Sequence, residues 1–233
     1  MEVVKRSGAG QAYDARKITG AMEKAFVSVG QACSREVIDK MLHEVEQNVL
    51  ANGSCTVEAI QDEVEQVLMA NGLYAVAKSY ILYRQKRAEL RAARTALTDA
   101  VDAPGLDECL AEIQQAFEGP EYSLTVLSGK FSSFLKSGMP RQEALGALVK
   151  AAVELTTQQA PKWEFIAARL LNYKFELELQ AELEKRGIHT FYEKLRYLTD
   201  EGLYGTYILE RYSREELEQA ASFLRPERNA LFT

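Results

Sequence analysis

The residues of this 233-residue chain whose types and spacing suit chemistry are basic, and they fall in its first hundred positions. Lys5 and Arg6 stand just before the turn sequence Ser7-Gly8-Ala9-Gly10. Two glycines there allow positive φ and a close approach of backbone to a ligand. Lys17 lies in the first turn of a helix read from about residue 15. A helix N-terminus carries free N–H donors and partial positive charge, which suits an anion. Farther along, Arg84, Arg87, Arg91 and Arg94 recur at i, i+3, i+7 and i+10, which is one helix face. Lys78 and Lys86 add charge, and Glu89 is the only acid between residues 78 and 94. Val76, Tyr80 and Tyr83 make an apolar stripe opposite, so such a helix can pack by one side and offer arginines from the other. Arginine's planar fork matches phosphate oxygens. The chemistry within reach of this set is phosphate binding. Taken singly, each piece is also what a solvated helix face or an ordinary turn looks like. No Walker A or G-x-G-x-x-G pattern accompanies them.

No nucleophile, general base or metal set stands out beside these cations. Cys33, Cys55 and Cys109 are isolated, no Cys-x-x-Cys occurs, and the histidines are His43 and His189 alone. A zinc site or a disulfide framework is therefore not expected, and a reducing cytoplasm fits the cysteine usage. Acid pairs such as Asp62/Glu63 and Glu215/Glu216 read as helix-face charges. The expectation is no catalytic residue and no metal held by protein side chains. Net charge is −6. The first hundred residues are neutral, so the remainder holds the whole deficit, and general nucleic-acid binding is disfavoured. No apolar run approaches the roughly 18–20 residues that span a bilayer. No signal peptide is evident at Met1-Glu2-Val3-Val4-Lys5-Arg6.

The elements that must position the basic cluster are a short hairpin and four helices. Residues 2–13 read as a β-hairpin. Asp14 reads as an N-cap, because its carboxylate can accept from the exposed N–H groups of the first turn. The helix behind it, about 15–29, carries Ile18, Met22, Phe26 and Val29 at helical spacing and closes at Gly30. A second helix is expected from about Ser34 to Leu50, stopping at Asn52-Gly53. A third follows Thr56, carries Ile60, Val64, Val67 and Leu68, and ends at Asn71-Gly72. A fourth runs from near Tyr74 to about Thr98. Asp102-Ala103-Pro104-Gly105 is the candidate domain boundary. Beyond it the pattern is helical throughout, at about 106–117, 122–137, 140–157, 161–186, 189–201, 203–211 and 213–223. The fold class is thus mainly α, with domains at 1–98 and 106–233. A weak internal repeat sets Glu58-Ala59-Ile60, Val64 and Leu68 against Glu143-Ala144-Leu145, Val149 and Val153. It also sets Val76-Ala77 and Tyr80 against Ile166-Ala167 and Leu170. Two amphipathic helix pairs can look alike without duplication, so residues 106–187 are read as a possible second copy lacking the Lys-Arg hairpin.

Residues 1–95 resemble the ATP-cone, a small nucleotide-binding regulatory module. The residues that carry the likeness are Val3-Val4-Lys5-Arg6-Ser7-Gly8, Tyr13-Asp14 and Lys17-Ile18, then Val57-Glu58-Ala59-Ile60-Gln61-Asp62 with Val64-Glu65, and Val76 through Arg84. Residues 122–233 are similar to the helical N-terminal domain of the large (alpha) subunit of class I ribonucleotide reductase. There the matching segments are Leu127-Ser128-Gly129-Lys130-Phe131, Ala160-Pro161-Lys162-Trp163-Glu164, Phe191-Tyr192-Glu193-Lys194-Leu195, Tyr212-Ser213, and Pro226-Glu227-Arg228 with Leu231-Phe232-Thr233.

The resemblance implies a hairpin lid over a four-helix cluster, then an all-helical domain leading into a catalytic barrel expected after Thr233. It implies overall-activity control of a reductase that converts ribonucleotides to deoxyribonucleotides. ATP would activate, and dATP would inhibit by favouring an oligomer, with Mg on the phosphates. The implied partners are the barrel, the radical-generating small subunit and further copies of the chain, with no nucleic acid and no membrane. Carried over residue by residue, Lys5, Arg6, Lys17 and Arg87 would meet phosphates. Gln11 and Asp14 would lie near the adenine. Thr56 or Val57, Gln61 and Arg84 would line the phosphate side, and Val3 and Ile18 belong to the same binding set. Gln11 departs from a glutamate common in the family, and Gln61 and Arg84 replace histidines of some relatives. The possible degenerate second cone at 106–187 is expected to bind no nucleotide, and the chain alone is expected to be catalytically inactive. Two other readings are a stand-alone nucleotide-responsive regulator and a helical assembly module with a decayed cone. A repressor that carries a cone has a zinc ribbon before it, and the missing Cys-x-x-Cys pairs count against that version.

Overall fold

The computed structural model describes residues 2–4, 8, 10–53, 55–225 and 228. Two strands open the chain, β1 (Glu2–Val4) and β2 (Gly10–Ala12). They pair antiparallel with Glu2 opposite Ala12, Val3 opposite Gln11 and Val4 opposite Gly10. All the remaining long elements are helices, so the fold is mainly α with a short hairpin at its start.

The cone-like part is built by helices that begin where a side chain can take up orphan N–H groups. Asp14 caps α1 (Ala15–Ser28), Ser34 caps α2 (Arg35–Asn52) and Thr56 caps α3 (Val57–Ala70). The second helix stops where expected, at Asn52-Gly53, and the φ of 64° at Gly53 is one a side chain would resist. α4 (Tyr74–Val101) is continuous over 28 residues. The first compact unit comprises residues 1–89. Its core joins Met22 and Phe26 of α1, Met41 and Val45 of α2, Val64 and Leu68 of α3, and Val76 and Tyr80 of α4. α2 packs along both α1 and α3. Glu63 is buried in this unit, and its carboxylate accepts from Asn52 Nδ2 at 2.8 Å, so it does not read as a helix-face charge.

The second unit comprises residues 90–233, so the division falls inside α4 between Glu89 and Leu90. α4 itself ends at Val101, and the expected sequence break begins with Asp102, whose φ is 49°. α5 (Leu106–Ala116) follows Gly105, whose φ is 79°. Where one helix is expected over 122–137, the chain makes a 3-10 turn at Pro120–Tyr122 and then α6 (Leu124–Ser132), restarted by the Ser123 cap. α7 (Arg141–Glu154) lies along α8 (Trp163–Lys185). Leu97, Leu106, Leu110, Leu127, Leu148 and Ile166 are all fully buried here. Trp163 joins them and donates its indole N–H to the Glu121 carbonyl at 3.0 Å. α9 (Phe191–Asp200) and α11 (Arg214–Ala221) each start with a capping box, Thr190 with Glu193 and Ser213 with Glu216. Between them α10 is confined to Tyr207–Arg211, shorter than the span expected from residue 203.

Burial in α3 and α7 does not follow the offset of the possible internal repeat. α3 and α7 have the same length, 14 residues. Burial sets Ile60, Val64 and Leu68 against Ala144, Leu148 and Ala152, whereas Val153 is 54% exposed. Pairing also differs, since α3 lies along α2 and α7 along α8.

Candidate functional site

A cavity of about 360 Å³ opens beneath the hairpin in the first unit. That size lies within the range of small-molecule sites. Val3 and Gln11, which are cross-strand partners, form its lid. Ala12, Tyr13 and Asp14 continue the wall into α1, where Lys17, Ile18 and Ala21 follow at helical spacing. Val57, Ile60 and Gln61 of α3 and Tyr80 of α4 complete it.

The hairpin is placed by more than its own pairing. The Val4 N–H donates to the Cys55 carbonyl at 2.9 Å, and Val4 bridges Thr56 in parallel register. β1 is thereby joined to the segment that caps α3. On the other strand's exit, the Tyr13 hydroxyl donates to Glu46 Oε1 of α2 at 2.8 Å. Partial burial, then the bond to Glu46, pushes the Tyr13 phenol well above its ordinary pKa. Tyr13 is therefore a neutral donor at any physiological pH. Asp14 Oδ1 accepts from the Arg16 backbone N–H at 3.1 Å and from Arg16 Nε at 3.1 Å. The hydrogen bond from the Arg16 side chain is the main reason its carboxyl sits below the usual range. Tyr80 is 5% exposed, and burial pushes its phenol up to about 12.

The walls divide by chemistry. Val3, Ile18, Ala21, Val57, Ile60 and the Tyr80 ring give an apolar slot that suits a flat heterocycle. Gln11, Asp14 and Gln61 supply hydrogen-bonding groups at its edge. Lys17 is exposed on the first turn of α1, where the helix end adds its own positive potential. An organic anion with an aromatic ring fits this division.

Seven of the sequence-predicted site residues meet at this cavity: Val3, Gln11, Asp14, Lys17, Ile18, Val57 and Gln61. Thr56 stands at its edge as the α3 cap, its hydroxyl accepting from the Ala59 N–H at 3.1 Å. Arg87 is exposed on α4 and is not part of the lining. Arg84 is not part of it either. Its Nη1 donates to Asp62 Oδ1 at 2.5 Å and to Glu65 Oε1 at 2.8 Å, both on α3. Lys5 and Arg6 lie outside the described residues. The arginine stripe is not one free face, for Arg94 pairs with Asp107 at 2.7 Å. Tyr83, expected on the packing stripe, is 49% exposed, and Ala77 takes its place in the core. The lining residues that sequence reading passed over are Ala12, Tyr13, Ala21, Ile60 and Tyr80. Ile60 and Tyr80 did carry a signal, as apolar members of periodic stripes, but a stripe does not say which members face a cavity.

Residues 1–89 match the ATP cone domain, and the matched stretch contains every residue of this cavity. Residues 1–89 belong to the ATP-cone family. The cone is accompanied by a wider likeness. The chain is 44% identical over 240 aligned positions to the ribonucleoside-diphosphate reductase subunit alpha of Treponema pallidum (strain Nichols), covering all of this chain and 28% of that protein. The corresponding subunit of Chlamydia pneumoniae is 31% identical, over 72% of this chain and 19% of its own length. A vitamin B12-dependent ribonucleoside-diphosphate reductase of Thermoplasma acidophilum is 39% identical over 95 residues, which is 39% of this chain and 12% of that enzyme. The chain is therefore homologous to reductase alpha subunits and spans less than a third of the length of these curated relatives.

Beyond the cone, a second cavity of about 410 Å³ is ringed by Arg186, Tyr192, Glu193, Arg196, Tyr197, Asp200 and Arg214. Its cations are already engaged in part. Arg186 donates to Glu182 at 2.7 Å and to the Tyr197 hydroxyl at 2.6 Å, and Arg214 lies 3.9 Å from Glu193. Among the described residues no cluster of His, Cys, Asp and Glu could hold a metal ion, and Cys33, Cys55 and Cys109 are free thiols. No described helix is long and apolar enough to cross a membrane.

Proposed function

We propose that the cone cavity binds ATP and dATP and that this chain regulates the overall activity of a ribonucleotide reductase of which it is the sensing region. The observation that carries the reading is the coincidence of the cavity with the cone. An apolar slot, a polar edge and a cation at a helix N-terminus are assembled by one lid and three helices. The adenine occupies the slot between Val3, Ile18 and Tyr80, with Gln11 and Asp14 at its edge. Gln11 offers both a donor and an acceptor, where a glutamate would only accept. Phosphates run toward Lys17, Lys5, Arg6 and Arg87, carrying Mg with them. Homology to alpha subunits along the whole chain supports a reductase as the regulated enzyme, reducing ribonucleotides to deoxyribonucleotides in the cytoplasm. That enzyme would supply the catalytic barrel and pair with a radical-generating small subunit.

The switch rests on one hydroxyl, since ATP and dATP differ only at the ribose 2′ position. A ligand that binds two quaternary states equally shifts nothing, so the two nucleotides must favour different states, here an active form and an inhibited oligomer. Couplings of about 1–3 kcal/mol are typical of such control.

Calorimetric titration of the chain with ATP and with dATP in magnesium tests the reading. Both nucleotides are expected to bind in the micromolar range, and a Lys5→Ala/Lys17→Ala variant is expected to lose them. Size analysis with each nucleotide then reads the oligomer. Absence of binding by the unaltered chain would mean a decayed cone with a purely structural role.

A further inference from the structure

Arg84 of α4 is held between two acids of α3. Its side chain is 23% exposed, and one guanidinium nitrogen serves two carboxylates of α3. Partial burial opposes its charge, but the hydrogen bonds to Asp62 and Glu65 outweigh that, so its pKa lies above the ordinary arginine value. One cation between two carboxylates is a net negative cluster, a poor neighbour for a polyphosphate. Arg84 nevertheless stands close to the cavity along both helices. Asp62 directly follows Gln61, which lines the cavity. Tyr80 also lines it and lies four residues before Arg84, so the two share a side of α4, whereas the sequence pattern sets the tyrosine opposite this arginine.

We infer that Arg84 is a positioning residue of the cone, a clamp that sets the spacing of Gln61 on α3 and Tyr80 on α4 and thereby shapes the slot for the nucleoside. The inference rests on the reading of the cavity as a nucleotide site. It gives Arg84 a role distinct from phosphate contact. When the clamp is intact, the α3 wall and the α4 wall are held at one separation. When it is cut, that separation is no longer set by the clamp, and the nucleoside loses its fit whether or not phosphates are attached.

The phosphate-free ligand separates the two roles. Dissociation constants of the full chain for ATP and for adenosine are measured by calorimetry and ligand-observed NMR. The variants are Arg84→Met, Arg84→Lys and the double variant Asp62→Asn/Glu65→Gln, each checked for folding by thermal melting. Arg84→Met and the double variant are expected to weaken both ligands by the same factor, about three- to tenfold. Arg84→Lys is expected to recover part of the loss. Combining Arg84→Met with the double variant is expected to add nothing further, because both cut one interaction. If Arg84→Met unfolds the cone, the double variant and Arg84→Lys carry the comparison. Loss confined to ATP would overturn the clamp in favour of direct phosphate contact. So would tighter ATP binding by the double variant, since that frees the guanidinium. Unchanged binding in every variant would also overturn it. An unaltered chain that binds neither ligand would overturn the nucleotide reading and the clamp with it, whereas unaltered binding with indifferent variants defeats the clamp alone.

Discussion

Asp14 does two things at one position: it caps α1 and it lines the cavity. Its carboxyl is held below the usual range, first by the Arg16 side chain and also by the Arg16 backbone N–H and by Lys17. A depressed folded value means that this contribution to stability is present above the unfolded carboxyl's pKa and is lost as pH falls through the lower folded one. Acid should therefore loosen the first turn of α1 and the edge of the slot together. Asp14→Ala is expected to lower the melting temperature of the cone at neutral pH and to weaken ATP. Its melting temperature should also fall less steeply on acidification than that of the unaltered chain. Melting curves at stepped pH for the two proteins check this, and parallel pH profiles would refute it. Asp14 was legible in the sequence because a cap is a local device, fixed by its own carboxylate and the N–H groups just after it. Arg84 was legible only as one of four evenly spaced arginines. Its carboxylates come from α3, and periodicity within α4 carries no information about another helix.

At the level of elements, the same contrast explains what could be read. The starts near Asp14, Ser34 and Thr56 and the stops at Gly30, Gly53 and Gly72 follow from short-range capping, and the helices fall where those residues put them. The break of the expected 122–137 helix was hidden because Ser123 can sit inside a helix as well as cap one. Tertiary packing decides such cases, and here Tyr122 is buried against Trp163 with ring centroids 6.1 Å apart. The joining of β1 to Cys55 and Thr56 was equally hidden, since nothing in Val3-Val4 names its second neighbour. Trp163, at the start of α8, is 1% exposed and bonded through its indole N–H to Glu121 in the turn before α6. Trp163→Ala is expected to cost about 3–5 kcal/mol in the second unit. Denaturant unfolding followed by circular dichroism measures it, and a cost below about 1 kcal/mol would show that the cavity closes over without penalty.

For the whole molecule, the informative fact is that the described residues form two cores. The buried residues of the cone and those of the second unit form separate clusters. A ligand stabilises the state it binds, by about 2.7 kcal/mol at a hundredfold excess over its dissociation constant. ATP is therefore expected to slow amide exchange in the hairpin and α1 through the first part of α4, leaving Trp163 and the helices around it little changed. Exchange measured by mass spectrometry with and without ATP decides the matter. Equal protection in both units would mean that they unfold as one body.

The bond from Val4 to Cys55 has a bearing on how the protein is made. β1 leaves the ribosome before the segment that holds it, which emerges about fifty residues later. At about 5–20 residues per second, the opening strand waits roughly 3–10 s for its anchor. During that interval α1 and α2 can form and pack, because their caps and contacts are local. The lid is thus synthesised before α1 and α2 but seated after them, and the cavity beneath it waits further for Tyr80 of α4.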